Sequence, residues 1–171
     1  KAIHHAFRGG LLEHVVSMME LAVRFADNYP ELDRDLLVLG VLFHDLGKLQ
    51  ELGAMPDNEY TPVGRLVGHI VLGRDLVRER TAAIPGFPPD LRLQLEHLVL
   101  SHQGRKEFSS PVEPMTAEAF VLHAIDDIKF LTGYNIEPVV TSEPALREAI
   151  EKYYAERGPN LEEIISDMED D

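Results

Sequence analysis

From Leu36 to Phe43 the chain reads LLVLGVLF, apolar at every position. A helix that is hydrophobic all round has no face to give to water and belongs at the centre of a domain. Asp33 stands just before the run, where a short carboxylate caps the first free backbone N–H groups. His44 and Asp45 end it, and Gly47 is expected to supply its C-terminal stop. The rest of the chain must therefore wrap this segment, with an adjacent imidazole and carboxylate at its inner end.

The flanking sequence supplies the wrapping. Leu11, Val15, Met18, Ala22 and Phe25 recur at helical spacing and Pro30 closes the segment, predicting a first helix over 10–28 with His14 on its apolar stripe. Thr61 and Pro62 are cap and first-turn proline of a third helix, with Leu66, Ile70, Leu76 and Val77 as its stripe and His69 beside it. Gly64, Gly68 and Gly73 weaken that helix, and close packing against a neighbour is the expected return. Beyond the turn at 85–89, Asp90 is expected to cap a fourth helix carrying Leu91, Leu95, Leu98 and Val99 down to His102, ending at Gly104. Thr116 caps a fifth helix to Leu131, with Leu122 and Asp126 one turn apart, and a sixth runs over 143–157 before an acidic tail. No segment alternates with the period of a strand, so the expected fold is an all-α bundle of about six or more helices. Residues 1–160 read as one domain and 161–171 as its tail.

Composition narrows the chemistry. A chain of 171 residues without cysteine has no disulfides, thiolate zinc sites or iron–sulfur clusters, so any metal is held by nitrogen and oxygen. Sixteen Lys and Arg against 30 Asp and Glu give a net charge of −14, which repels a polyanion over most of the surface. Bound divalent cations reverse that sign locally. No stretch approaches the roughly 20 apolar residues of a membrane span, and with no signal peptide the protein reads as cytoplasmic. The abrupt start at Lys1 suggests a piece of something longer.

Five helices thus bring His14, His44 with Asp45, His69, His102 and Asp126 onto or beside apolar stripes. One histidine on such a face is usually a satisfied core residue, and a His-Asp dipeptide alone says little. Several together need a common explanation, because buried carboxylates and imidazoles are costly unless paired or bound to a metal. Neighbouring side chains on a helix project about 100° apart, so His44 and Asp45 can grip one ion, or the carboxylate can bridge two. His4, His5 and His123 read either as core residues or as groups that orient ligands.

The segments HHAFRGGLLEHV, LDRDLLVLGVLFHDLGK, EYTPVGRLVGHI, LVLSHQGRKEFSSPVEP and EAFVLHAIDDI together resemble the HD superfamily of metal-dependent phosphohydrolases, and within it the branch of YhaM-type 3′-5′ exoribonucleases. The resemblance covers about residues 4–131. It implies that His14, His44, Asp45 and Asp126 hold a first metal, that His69 and His102 add a second, and that Asp45 bridges them. Lys48 of HDLGK is similar to a lysine that faces the substrate phosphate, and otherwise reads as a cation at a helix C-terminus. His97, five residues before His102, is a candidate either for orienting a ligand from behind or for the phosphate side. Where that branch often pairs two histidines after Ser, this chain has His102-Gln103, and it carries Asp127 and Lys129 where relatives more often have Asn and Asp. The branch also carries an N-terminal nucleic-acid module that is missing here.

The implied reaction is cleavage of a phosphodiester, in a nucleotide or a short single-stranded RNA or DNA, by metal-activated water, with Asp45 and Lys48 as the catalytic residues. Lys48, Arg105 and Lys106 would contact phosphate oxygens, with Arg8 as a weaker candidate. Imidazole and carboxylate ligands suit Mn or Fe first, then Co, Ni, Zn or Mg. Phosphomonoester hydrolysis and nucleotide binding without turnover are the alternatives. Apolar Ile164, Ile165 and Met168 leave room for a homo-oligomer.

Overall fold

A computed structural model describes residues 9–54, 58–132 and 142–154. They fall in two compact units, one ending at Pro138 and one beginning at Val139. The described part of the first unit is helical, with helices α1 (Gly10–Asn28), α2 (Arg34–Phe43), α3 (Lys48–Glu51), α4 (Pro62–Val67), α5 (His69–Ala82), α6 (Pro89–Ser101) and α7 (Ala117–Thr132). A short 3₁₀ turn spans Lys106–Phe108, and an isolated bridge pairs Leu52 with Tyr60. The all-α expectation is met. No helix among the described residues is long and apolar enough to cross a membrane.

The core follows the apolar stripes. Met18, Leu21 and Ala22 of α1, Leu36, Leu37 and Val41 of α2, Val77 of α5, Leu95, Leu98 and Val99 of α6, and Leu122 and Ile125 of α7 form one buried cluster. Each large side chain buried there stabilises the fold by roughly 1.5–3 kcal/mol. Helix α2 lies between α1, α6 and α7, the central position its composition requires. Its approach to α6 depends on Gly40, where an added Cβ would come within 2.6 Å of Leu98. Asp33 caps it as expected, accepting from the Leu36 N–H at 3.0 Å.

Three local expectations are corrected. Gly47 does not stop α2 in a left-handed turn: its φ is −63°, and the chain passes through tight turns directly into α3. What demands glycine there is space, because a Cβ would meet the His69 carbonyl oxygen at 1.9 Å and the Gly73 nitrogen at 2.6 Å. The third helix is two helices, broken at Gly68, whose φ of +80° is outside the right-handed helical region. Leu66, on the predicted stripe, consequently lies in α4 and is exposed. Finally, α6 begins two residues early, with Pro88 at the cap and Asp90 in the first turn.

The described part of the second unit is α8 (Glu143–Tyr154), supported by an Arg147–Glu143 ion pair at 3.0 Å. The expected end at Arg157 and the acidic tail lie outside the described residues, as do His4, His5 and Arg8.

Candidate metal centre

Five helical segments converge at one end of the core. The start of α1 supplies His14, the residues just past α2 supply His44 and Asp45, the first residue of α5 is His69, the residue capping α6 is His102, and the middle of α7 supplies Asp126. His14 arrives because it shares the buried side of α1 with Val15 and Met18. His44 and His102 arrive alike, each following a buried valine by three residues and holding that valine's carbonyl through Nδ1 at 2.7 Å. Both bonds leave Nε2 pointing inward. Buried Asp45 lies between the rings.

The two oxygens of Asp45 face different partners. Oδ2 lies 3.4 Å from His44 Nε2 and 3.9 Å from His14 Nε2. Oδ1 lies 3.6 Å from His69 Nε2 and 3.9 Å from His102 Nε2. The result is two trios, His14–His44–Asp45 and Asp45–His69–His102, each with its candidate ligand atoms within 4.8 Å of one another. Asp126 joins the first side, with Oδ1 3.2 Å from His14 Nε2.

These residues fit divalent cations. Asp45 Oδ1 is buried with no hydrogen-bond partner, a costly state for a carboxylate oxygen that a cation would relieve. The donors are imidazole nitrogen and carboxylate oxygen, the set that holds first-row divalent metals. His14, His44, Asp45 and Asp126 would hold one ion, and His69 and His102 with Asp45 a second.

Charge within the cluster is strongly coupled. Burial opposes a charge on His44, but Asp45, by charge and hydrogen bond, and then Asp126 outweigh it and raise its pKa to about 9. Burial, reinforced by the nearby His44, pushes His102 down to about 4. Burial works against ionised Asp45 as well, yet His44, Lys48 and His102 hold its carboxyl well below the usual range. Asp126 is also lowered: burial opposes its charge, and the His14 hydrogen bond and His44 prevail.

The other candidates lie at different distances from this centre. Lys48 opens α3 instead of closing α2, and its Nζ bonds Asp45 Oδ2 at 2.5 Å. His97 is turned to the following loop, where its Nε2 accepts from the Met115 N–H at 2.9 Å. Arg105 and Lys106 are exposed on the turn after Gly104. His123 supports the His102 turn, donating from Nδ1 to the His102 carbonyl at 3.0 Å.

Sequence reasoning missed Glu51. Its buried carboxylate holds both the backbone N–H of His69, at 3.0 Å, and His69 Nδ1, at 3.1 Å. This is the support that metal-binding histidines receive from a carboxylate behind them. A buried acid one turn beyond HDLGK was the available signal, but α3 was not foreseen.

Residues 11–131 match the HD domain family. The 3′-5′ exoribonuclease YhaM of Bacillus subtilis is 48% identical over 127 residues, which are 73% of this chain and 40% of that protein. YhaM of Geobacillus sp. is 46% identical over 127 residues, 73% of this chain and 38% of that protein, and YhaM of Shouchella clausii 42% over 125 residues, 73% and 39%. The chain thus spans about two fifths of the length of these relatives. No solved structure matches. The family match covers every residue of the two trios together with Asp126, and the chain belongs to the HD domain family.

Proposed function

We propose that this domain is a metal-dependent phosphohydrolase that cleaves phosphodiesters in nucleotides or short single strands. The observation that carries the reading is the position of Asp45, whose two oxygens each face a separate pair of imidazoles. One carboxylate so placed suits a pair of ions, and the similarity to exoribonucleases named for 3′-5′ cleavage supports a nucleic-acid diester. Divalent ions held there would supply Lewis-acid activation of water and charge neutralisation of the phosphate.

The chain's own residues divide the remaining work. Val41 and Val99 carbonyls fix the tautomers of His44 and His102, and Glu51 that of His69, so each presents Nε2 to the centre. Lys48, one third exposed at the edge of the cluster, is placed to exchange its Asp45 contact for a phosphate oxygen. Arg105 and Lys106 flank the His102 side as further phosphate contacts, and His97 steadies the loop leading to α7. We place the domain in the cytoplasm and favour Mn or Fe.

Asp45→Ala tests the reading. Bound metal by elemental analysis and hydrolysis of a single-stranded oligonucleotide should be lost together, with the helical circular dichroism retained. A variant that keeps both metal and turnover refutes it. Wild-type turnover of a phosphomonoester in preference to the oligonucleotide would move the substrate to the monoester class.

A further inference from the structure

The turn beyond His102 presents an aromatic ring, two cations and Glu107 to solvent from a backbone anchored at both ends. Gly104, at φ +75°, packs so closely on His123 that a Cβ would lie 2.3 Å from its Nε2. The Arg105 carbonyl accepts from the N–H groups of Phe108 at 3.0 Å and Ser110 at 3.2 Å, closing the loop. Ser110 is buried, and its hydroxyl lies 3.0 Å from the Leu100 carbonyl and 2.8 Å from that of Val112, tying the loop to the end of α6. Between these anchors Ser109 holds a left-handed φ of +78°, a conformation that carries strain for a residue with a Cβ. The outcome is Phe108 with 59% of its surface exposed, beside exposed Arg105 and Lys106.

The sequence leading into this turn is less acidic than the chain as a whole. Residues 61–108, which include α5, α6 and the turn itself with exposed Glu107, carry seven Lys and Arg against five Asp and Glu, whereas the whole chain carries 16 against 30. This stretch therefore repels a polyanion less than the chain as a whole does. An exposed aromatic face among cations is what single-stranded nucleic acid uses, because every base has a π-face to stack and a phosphate beside it.

We propose that Phe108 is a stacking surface for a nucleobase of a single-stranded polynucleotide, with Arg105 and Lys106 taking the adjoining phosphates. It is a specificity element, distinguishing strands that carry bases from bare sugar-phosphate. The assignment rests on the phosphodiesterase reading above. Phe108 lies outside the buried cluster, so its substitution acts through the exposed ring and leaves the core packing alone.

Two variants and two polymers test it: Phe108→Ala and Phe108→Trp, with a short oligoadenylate and an abasic oligonucleotide of equal length. Phe108→Ala should lower kcat/KM on oligoadenylate by about 10-fold, through KM, and affect the abasic strand far less. Equal losses on both polymers overturn the proposal. Phe108→Trp should restore the preference, and because the chain has no tryptophan, its indole is the sole one. Oligoadenylate should quench that fluorescence and the abasic strand should not. Unchanged emission with saturating oligoadenylate overturns the proposal too. This binding readout needs no turnover, so a chain inert toward every diester would refute the phosphodiesterase reading while the fluorescence still decides the stacking.

Discussion

Glu51 Oε1 accepts two hydrogen bonds from one residue, the backbone N–H and the ring Nδ1 of His69, at 3.0 and 3.1 Å. The pair joins the end of α3 to the start of α5 and sets the direction of His69 Nε2, which looks toward Asp45 at 3.6 Å. Carboxylates in this position stiffen a metal ligand and raise its basicity. Glu51→Ala should therefore weaken metal binding at the His69–His102 side by about 10–100-fold. Leaving those N–H groups unpaired should also cost about 1–3 kcal/mol of stability. Metal titration and urea unfolding of the same variant would separate the two effects. An unaltered titration would show that His69 is held by packing alone.

Gly47→Ala should be among the most damaging single-methyl additions in the chain. The new Cβ faces backbone atoms of α5, which cannot rotate aside as a side chain does. A loss of about 3 kcal/mol or more is expected, at the upper end of overpacking costs. At Gly73 an added Cβ would lie 3.3 Å from the Gly47 nitrogen and 3.4 Å from a Val99 methyl, so Gly73→Ala should cost distinctly less. Melting curves of the two variants, compared directly, check the ranking.

The coupled charges give a pH dependence with a definite sign. His44 is raised to about 9 in the folded protein, so protonation of this residue stabilises the chelator-treated chain fully below pH 6.5. That contribution is lost as the pH rises from 6.5 through about 9. His102 acts in a different window: it is depressed to about 4, so it removes stability as the pH falls from 6.5 toward 4. Metal ligation requires neutral His44, so apparent metal affinity should climb between pH 6.5 and 9, by up to about 10-fold per unit for the one proton displaced. Calorimetric titration in buffers of different ionisation enthalpy would count that proton. His44→Gln should abolish the slope.

Lys48→Met separates positioning from binding. Removing the ammonium from Asp45 Oδ2 takes away a cation that competes for the same oxygen, so metal should bind at least as tightly as in the wild type. Turnover should nonetheless fall by about 100-fold if the amine contacts a phosphate oxygen while charge builds. Metal content and kcat of one preparation suffice, and loss of metal together with activity would instead make Lys48 a support for Asp45.

What the sequence determined by itself is which faces are buried. Helical spacing from Leu11 to Phe25 located α1 over 10–28, and the uniformly apolar run before His44 predicted a central α2, because periodicity reports directly on exposure to water. The order of histidines and carboxylates on those faces likewise announced a shared interior. Tertiary structure decided the rest. Gly68 breaks a helix that the pattern drew as continuous, since the sign of φ depends on where the chain must turn. Gly47 is required by the approach of α5, and Glu51 earns its role only because α3 carries it to His69. His97, five residues before His102, is turned to Met115, as a helix separates such neighbours by about 140°. These are relations between segments distant in sequence, and no local pattern encodes which backbone will lie against which.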